Sequence, residues 1–111
     1  MTDGLKKEPV RGEETAVIER QQTEKPRRYL VILHNDDYTS QEFVVEILVK
    51  FFHKDETAAT QIMLQVHHKG HGAVGHFTRD VAETKVQQVI SYAKKNGYPL
   101  KCTAEPEGSG F

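Results

Sequence analysis

The sequence is sparing in the residues that staple a fold or span a membrane, and it has little net charge. Its single cysteine, Cys102, rules out an internal disulfide. Fifteen Lys and Arg against sixteen Asp and Glu leave a formal charge of −1, which denies the chain an overall electrostatic footprint for nucleic acid or for an anionic membrane surface. No run approaches the roughly 20 consecutive apolar residues that a membrane span requires. Nothing near Met1 reads as a signal peptide, because the first apolar stretch of any length begins at Tyr29. A cytoplasmic protein is the expectation. Internal repeats and long low-complexity tracts are absent as well, and 111 residues suffice for one domain with a modest core.

Residues 1–26 carry Glu, Lys, Arg, Gln and Thr with Pro9 and Pro26 and few apolar positions, so they read as a flexible N-terminal extension. The core domain is expected over 27–104. Tyr29-Leu30-Val31-Ile32-Leu33 is a β-branched and apolar run bounded by Pro26 and by Asn35-Asp36-Asp37, which predicts a buried strand. Thr39-Ser40-Gln41-Glu42 has capping-box spacing with Thr39 as the cap, and predicts a helix from Ser40. That helix carries Phe43, Val44, Ile47, Leu48, Phe51 and Phe52 as its core stripe, with room for a second buried face at Val45 and Val49. Asp55 can cap a second helix with Ala58, Ala59, Ile62, Met63 and Val66 as its stripe, ended by Gly70. Gly70 to Phe77 reads as a short strand that another backbone approaches closely. Thr78 caps a third helix, with Asp80 in its first turn, Lys94 and Lys95 in its last, and Gly97 as its stop. Residues 99–103 predict a closing strand, and the Gly-rich residues 105–111 a flexible C-terminal tail. The order strand-helix-helix-strand-helix-strand implies an α+β fold: a small, mostly antiparallel three-stranded sheet with helices over one face.

The chain is organised around Asn35-Asp36-Asp37-Tyr38-Thr39. Neighbouring Asn and Asp can hold a strand-to-helix turn, and they can equally accept hydrogen bonds from a cation. Enzyme readings draw little support. Cys102, His67 and Asp36 can be written as nucleophile, base and orienter, but Cys102 lies in an apolar strand with nothing beside it to depress its pKa. Asp36 and Asp37 are adjacent and point apart on a turn, so they form no shared-proton dyad. The glycines around Gly72 lack the Lys-Ser or Lys-Thr of a P-loop. His67, His68, His71 and His76 crowd one stretch without a His-Glu-x-x-His motif, and solvated histidines account for them better than a metal does. Neither a catalytic group nor a metal or other cofactor is expected. In a binding reading, Asn35, Asp36 and His67 surround a small polar group while Val44, Met63 and Val66 line an apolar hole beside it. That combination suits a residue with a free amine.

These residues resemble a known family. Asn35-Asp36-Asp37-Tyr38-Thr39 with Glu42-Phe43-Val44, Ala59-Thr60-Gln61 with Met63 and Val66-His67, then Gly70, Gly75, Phe77-Thr78, Val81-Ala82-Glu83-Thr84-Lys85-Val86 and Pro99-Leu100 look like ClpS. ClpS proteins are adaptors that deliver N-end rule substrates to the ClpA unfoldase of the ClpAP protease, and the likeness runs from about Tyr29 to Thr103. The resemblance implies that Asn35, Asp36 and His67, with Thr39 nearby, hold a substrate's α-amino group. It also implies that Val44, Met63, Val66 and Leu100 receive a first side chain such as Leu, Phe, Tyr or Trp. It places His68, Asp80 and Lys85 at the surface facing the N-domain of a ClpA-type AAA+ unfoldase, and gives residues 1–26 a part in hand-off. Where the family often has Pro-Met after Thr39, this chain has Ser40-Gln41, so Gln41 is where its residue preference is expected to differ. The alternative is a small protein-protein interaction domain of similar fold without an N-degron pocket.

Overall fold

The computed structural model describes residues 27–108, in the order β1 (Tyr29–His34), α1 (Gln41–Phe52), α2 (Glu56–Lys69), β2 (His71–Phe77), α3 (Arg79–Lys95) and β3 (Lys101–Pro106). The flexible extension expected over 1–26 and residues 109–111 of the C-terminal tail lie outside the described residues. The sheet order is β2-β1-β3, with both pairings antiparallel. β1 is therefore central, which is why Val31, Ile32 and Leu33 are all fully buried in a continuous apolar run.

Side chains alternate across a strand, so Val31 and Leu33 point together into the cluster formed with Phe43, Ile47, Leu48, Met63, Val89 and their neighbours. Ile32 faces the other way, between its cross-strand partners Ala73 and Thr103. The register of β2 slips between Val31 and Ile32, leaving Val74 as the extra residue, and its side chain joins the core. The predicted close approach to this strand is real, and the approaching element is a helix. A methyl group on Gly72 would stand 2.8 Å from Cγ2 of Val66 on α2.

Four sequence expectations are corrected. Ser40 caps α1, its Oγ accepting the amide of Phe43, so the helix starts one residue later than expected and Glu42 is no longer placed to close a capping box. Thr39 is diverted because Asp36 takes both its amide and its hydroxyl. The second buried face of α1 is incomplete: Val45 is half-buried but Val49, one turn on, is 43% exposed, because that row faces away from the sheet. The closing strand is Lys101–Pro106, not 99–103, and Glu105 and Pro106, read with the tail, pair with Leu30 and Tyr29. An edge position tolerates Pro106, since no neighbour needs its missing amide.

Other signals hold. Asp55 and Thr78 accept the amides of Ala58 and Val81 as caps, and Gly70 ends α2 at φ 91°. After α3, Gly97 (φ 79°) and Tyr98 close a Schellman turn, with the amide of Gly97 on the Lys94 carbonyl and that of Tyr98 on the Ala93 carbonyl. The turn lays the Tyr98 ring against Phe43, with centroids 4.4 Å apart, so α3 braces the first turn of α1.

Candidate functional site

β1 stops at His34, and the chain must turn before α1 can lie across the sheet. Two bonds set that turn against the end of α2: the Gly70 amide donates to the Val66 carbonyl and the Asn35 amide donates to the Gly70 carbonyl, each at 2.9 Å. The left-handed Gly70 thus docks the last turn of α2, with His67 on it, beside Asn35. Within the turn Asp36 is the hub. Its Oδ1 accepts the amides of Tyr38 (2.8 Å) and Thr39 (2.7 Å), and its Oδ2 accepts the Thr39 hydroxyl (2.7 Å). Partial burial pushes this carboxyl up, but the bonds from Thr39 and Tyr38 outweigh it, and the net shift is below the usual aspartate value.

Between the turn and α2 lies a cleft of about 340 Å³. Val44, Met63 and Val66 form its floor, each almost wholly buried. Asn35, Asp36, Thr39, Gln41 and His67 stand on its wall and rim. The Asn35 side chain makes no hydrogen bond among the described residues. Among the described residues the His67 ring pairs with that of His68, edge to face at 5.4 Å. The site therefore offers uncommitted polar groups over an apolar floor. A larger hollow of about 600 Å³ on the outer face of α3 is lined by Asp80, Glu83, Thr84, Gln87, Gln88 and Ser91, none of them apolar. All six are exposed and it has no floor of buried aliphatic side chains, so the smaller cleft is the better candidate.

Acceptor counting shows what the cleft can bind. A carboxylate has about four lone-pair sites, and Asp36 has committed three, leaving one on Oδ2. The Asn35 side-chain carbonyl and one His67 ring nitrogen can supply two more. Three acceptors on one rim match the three donors of a primary ammonium group.

Leu100, expected in the side-chain pocket, is buried in the core and does not line the cleft. Asp37, Tyr38 and Ser40 do line it and were not singled out from the sequence. The Asx turn itself was the available signal: an Asp whose carboxylate takes amides two and three residues on draws the intervening residues around the same hollow. His68, Asp80 and Lys85 are joined by no hydrogen bond or ion pair. His68 is exposed on α2, Asp80 is exposed in the first turn of α3, and Lys85 is half-buried with Nζ donating to the Phe51 carbonyl at 2.7 Å.

Cys102 is 3% exposed, and burial pushes its thiol up to about 12, so it supplies no thiolate nucleophile near neutral pH. Among the described residues no three His, Cys, Asp or Glu side chains gather closely enough to hold a metal ion, and no helix is long and apolar enough to cross a membrane.

The chain is similar to known proteins. A family profile described as "ATP-dependent Clp protease adaptor protein ClpS" matches residues 24–103. The ATP-dependent Clp protease adapter protein ClpS of Deinococcus radiodurans is 54% identical over 96 residues, covering 86% of this chain and 85% of that protein. ClpS 2 of Bradyrhizobium diazoefficiens is 52% identical over 96 residues, covering 85% of this chain and 87% of that protein. Among solved structures, Agrobacterium tumefaciens ClpS2 bound to L-phenylalaninamide superposes with a TM-score of 0.73 at 40% identity, covering 75% of this chain and all of that one.

Proposed function

The chain belongs to the ClpS family of adaptor proteins of the ATP-dependent Clp protease, and from that premise we propose that its cleft captures the N-terminal residue of N-degron substrates. As an adaptor it is not itself the protease. The observation that carries the reading is the meeting of two half-sites in one cleft: Asn35, Asp36 and His67, with Thr39 bracing Asp36, above the floor of Val44, Met63 and Val66. A free α-ammonium satisfies the first and a Leu, Phe, Tyr or Trp side chain the second. L-Phenylalaninamide, bound by the Agrobacterium relative, has both groups: a primary amine and a benzyl side chain, with no carboxylate to repel Asp36.

Magnitudes agree. Charge-assisted hydrogen bonds contribute about 1.5 to 3 kcal/mol each, and burying a large apolar side chain about 1.5 to 3 kcal/mol. After ordering costs, the sum is compatible with roughly micromolar binding, for which about 8 kcal/mol is needed. Such a grip retains a substrate long enough to pass it on and still releases it.

Delivery follows from the adaptor role: the core domain hands the captured protein, in the cytoplasm, to the N-domain of a ClpA-type AAA+ unfoldase for degradation by ClpAP. Exposed His68 and Asp80 are available for that contact, and the N-terminal extension over 1–26 takes part in the transfer. The test is fluorescence anisotropy with labelled Leu- and Phe-initiated peptides, free and N-acetylated. Acetylation is expected to abolish binding. Equal affinity for both forms would overturn the assignment.

A further inference from the structure

We propose that Tyr38 forms a second subsite, which contacts the residue after the substrate's first one and favours a flat side chain there. The inference rests on the amine-first reading of the cleft. Its starting point is an exposure that the fold does not use: Tyr38 is 78% exposed, the most exposed large apolar side chain among the described residues, yet it lines the cleft. Among the described residues only its backbone is used internally, the amide donating to Asp36 Oδ1 at 2.8 Å. That bond fixes where the ring starts from and leaves the ring itself uncommitted.

The cleft's exposed lining residues are Asn35, Asp37, Tyr38, Gln41 and His67, and these form its mouth. A residue seated with its amine on Asn35, Asp36 and His67 and its side chain on the Val44, Met63 and Val66 floor must send its carbonyl, and the rest of the peptide, out through that mouth. Asn35 and His67 are then engaged with the amine, which leaves Asp37, Tyr38 and Gln41 beside the departing chain. Among these only Tyr38 presents two flat apolar faces, and its rigid ring loses little conformational freedom on covering a ligand. A second residue with an aromatic ring or a guanidinium plane can stack there, whereas glycine cannot.

The experiment uses the full chain, wild type and variants Tyr38→Ala and Tyr38→Phe, titrated with leucinamide and with peptides beginning Leu-Gly and Leu-Phe, each peptide also N-acetylated. The wild type is expected to bind Leu-Phe about two- to tenfold more tightly than Leu-Gly, the range an aromatic pair supplies. Tyr38→Ala should erase that preference and weaken Leu-Phe more than leucinamide, while Tyr38→Phe should retain it. No wild-type preference, a preference that survives Tyr38→Ala, or an equal loss for leucinamide and both peptides would overturn the subsite. Insensitivity of wild-type binding to acetylation would instead overturn the amine-first reading beneath it.

Discussion

The Asp36 carboxylate takes both the amide and the hydroxyl of Thr39, each at 2.7 Å, so one side chain closes the turn and faces the cleft at once. On the proposed function, structural and recognition roles share the same two oxygens, and the turn would orient the one lone pair left for a substrate.

Asp36 should therefore titrate below the usual aspartate range, and the turn should survive acid accordingly. A folded-state pKa below the unfolded value means that the ionised form favours the folded turn. That contribution is fully present above the ordinary value of 3.8 and is lost only as pH falls through the lower folded pKa. Carbon-13 NMR of the Asp36 carboxyl, followed together with the amides of Tyr38 and Thr39, checks this. Asp36→Asn, which removes the charge at the proposed amine site, should weaken peptide binding about tenfold or more.

Replacing Ser40 and Thr39 in turn separates the cap from the clamp. Ser40→Ala removes the oxygen that accepts the Phe43 amide and should cost about 1 kcal/mol in urea unfolding. Thr39→Ala leaves that cap in place but strips a hydrogen bond from Asp36, so its larger effect should be on peptide affinity. If Thr39→Ala destabilised the fold as much as Ser40→Ala did without weakening binding, the division of roles would be wrong.

This pair also marks what was legible in the sequence. Thr39 and Ser40 are both good caps one residue apart, and spacing to Glu42 favoured Thr39; Asp36 decided otherwise, by a contact that periodicity does not encode. Asp55, Thr78, Gly70 and Gly97 had no such competitor, and their local chemistry was sufficient. The central strand declared itself through Val31, Ile32 and Leu33, whereas β3 was misplaced because Glu105 and Pro106 are strand residues only by virtue of pairing with β1. In the cleft, Val44, Met63, Val66 and His67 followed from helical spacing. Leu100, which came from the family resemblance and not from spacing, lies in the core and off the cleft lining.

Lys85 should be needed for stability. Its Nζ donates to the carbonyl of Phe51 in the last turn of α1 and lies 5.9 Å from the ring centre of Phe52, so it ties α3 to an otherwise unsatisfied helix end. Lys85→Met keeps most of the stem and removes the donor. A loss of about 1 to 2 kcal/mol in chemical unfolding is expected, given that the group is half-buried. Any effect of this variant on unfoldase binding has to be read against that loss.

Gln41 stands at the mouth of the cleft with an exposed polar amide. Gln41→Met should change the ratio of affinities for Leu- and Ile-initiated peptides, because an apolar thioether packs against a first side chain that the amide must leave hydrated. Calorimetric titration of both peptides against both proteins measures the ratio directly. An identical ratio would remove Gln41 from the list of specificity determinants.

Gly72 tests the packing behind the floor. A Cβ there would stand 2.8 Å from Val66 Cγ2, and Val66 cannot easily turn aside, because a β-branched residue on a helix has essentially one χ1 rotamer. In Gly72→Ala, α2 must therefore shift away from β2 or carry Val66 further into the cleft. Either response should cost about 1 to 3 kcal/mol of stability. The two are told apart by binding: a Val66 pushed into the cleft lowers affinity for Phe- and Trp-initiated peptides more than for Leu. A shift of the whole helix also displaces His67 from Asn35 and weakens every free-amine peptide alike. The uniform loss is the expected result, since Gly70 joins α2 to the turn through two backbone bonds and any movement of the helix must pull on the clamp.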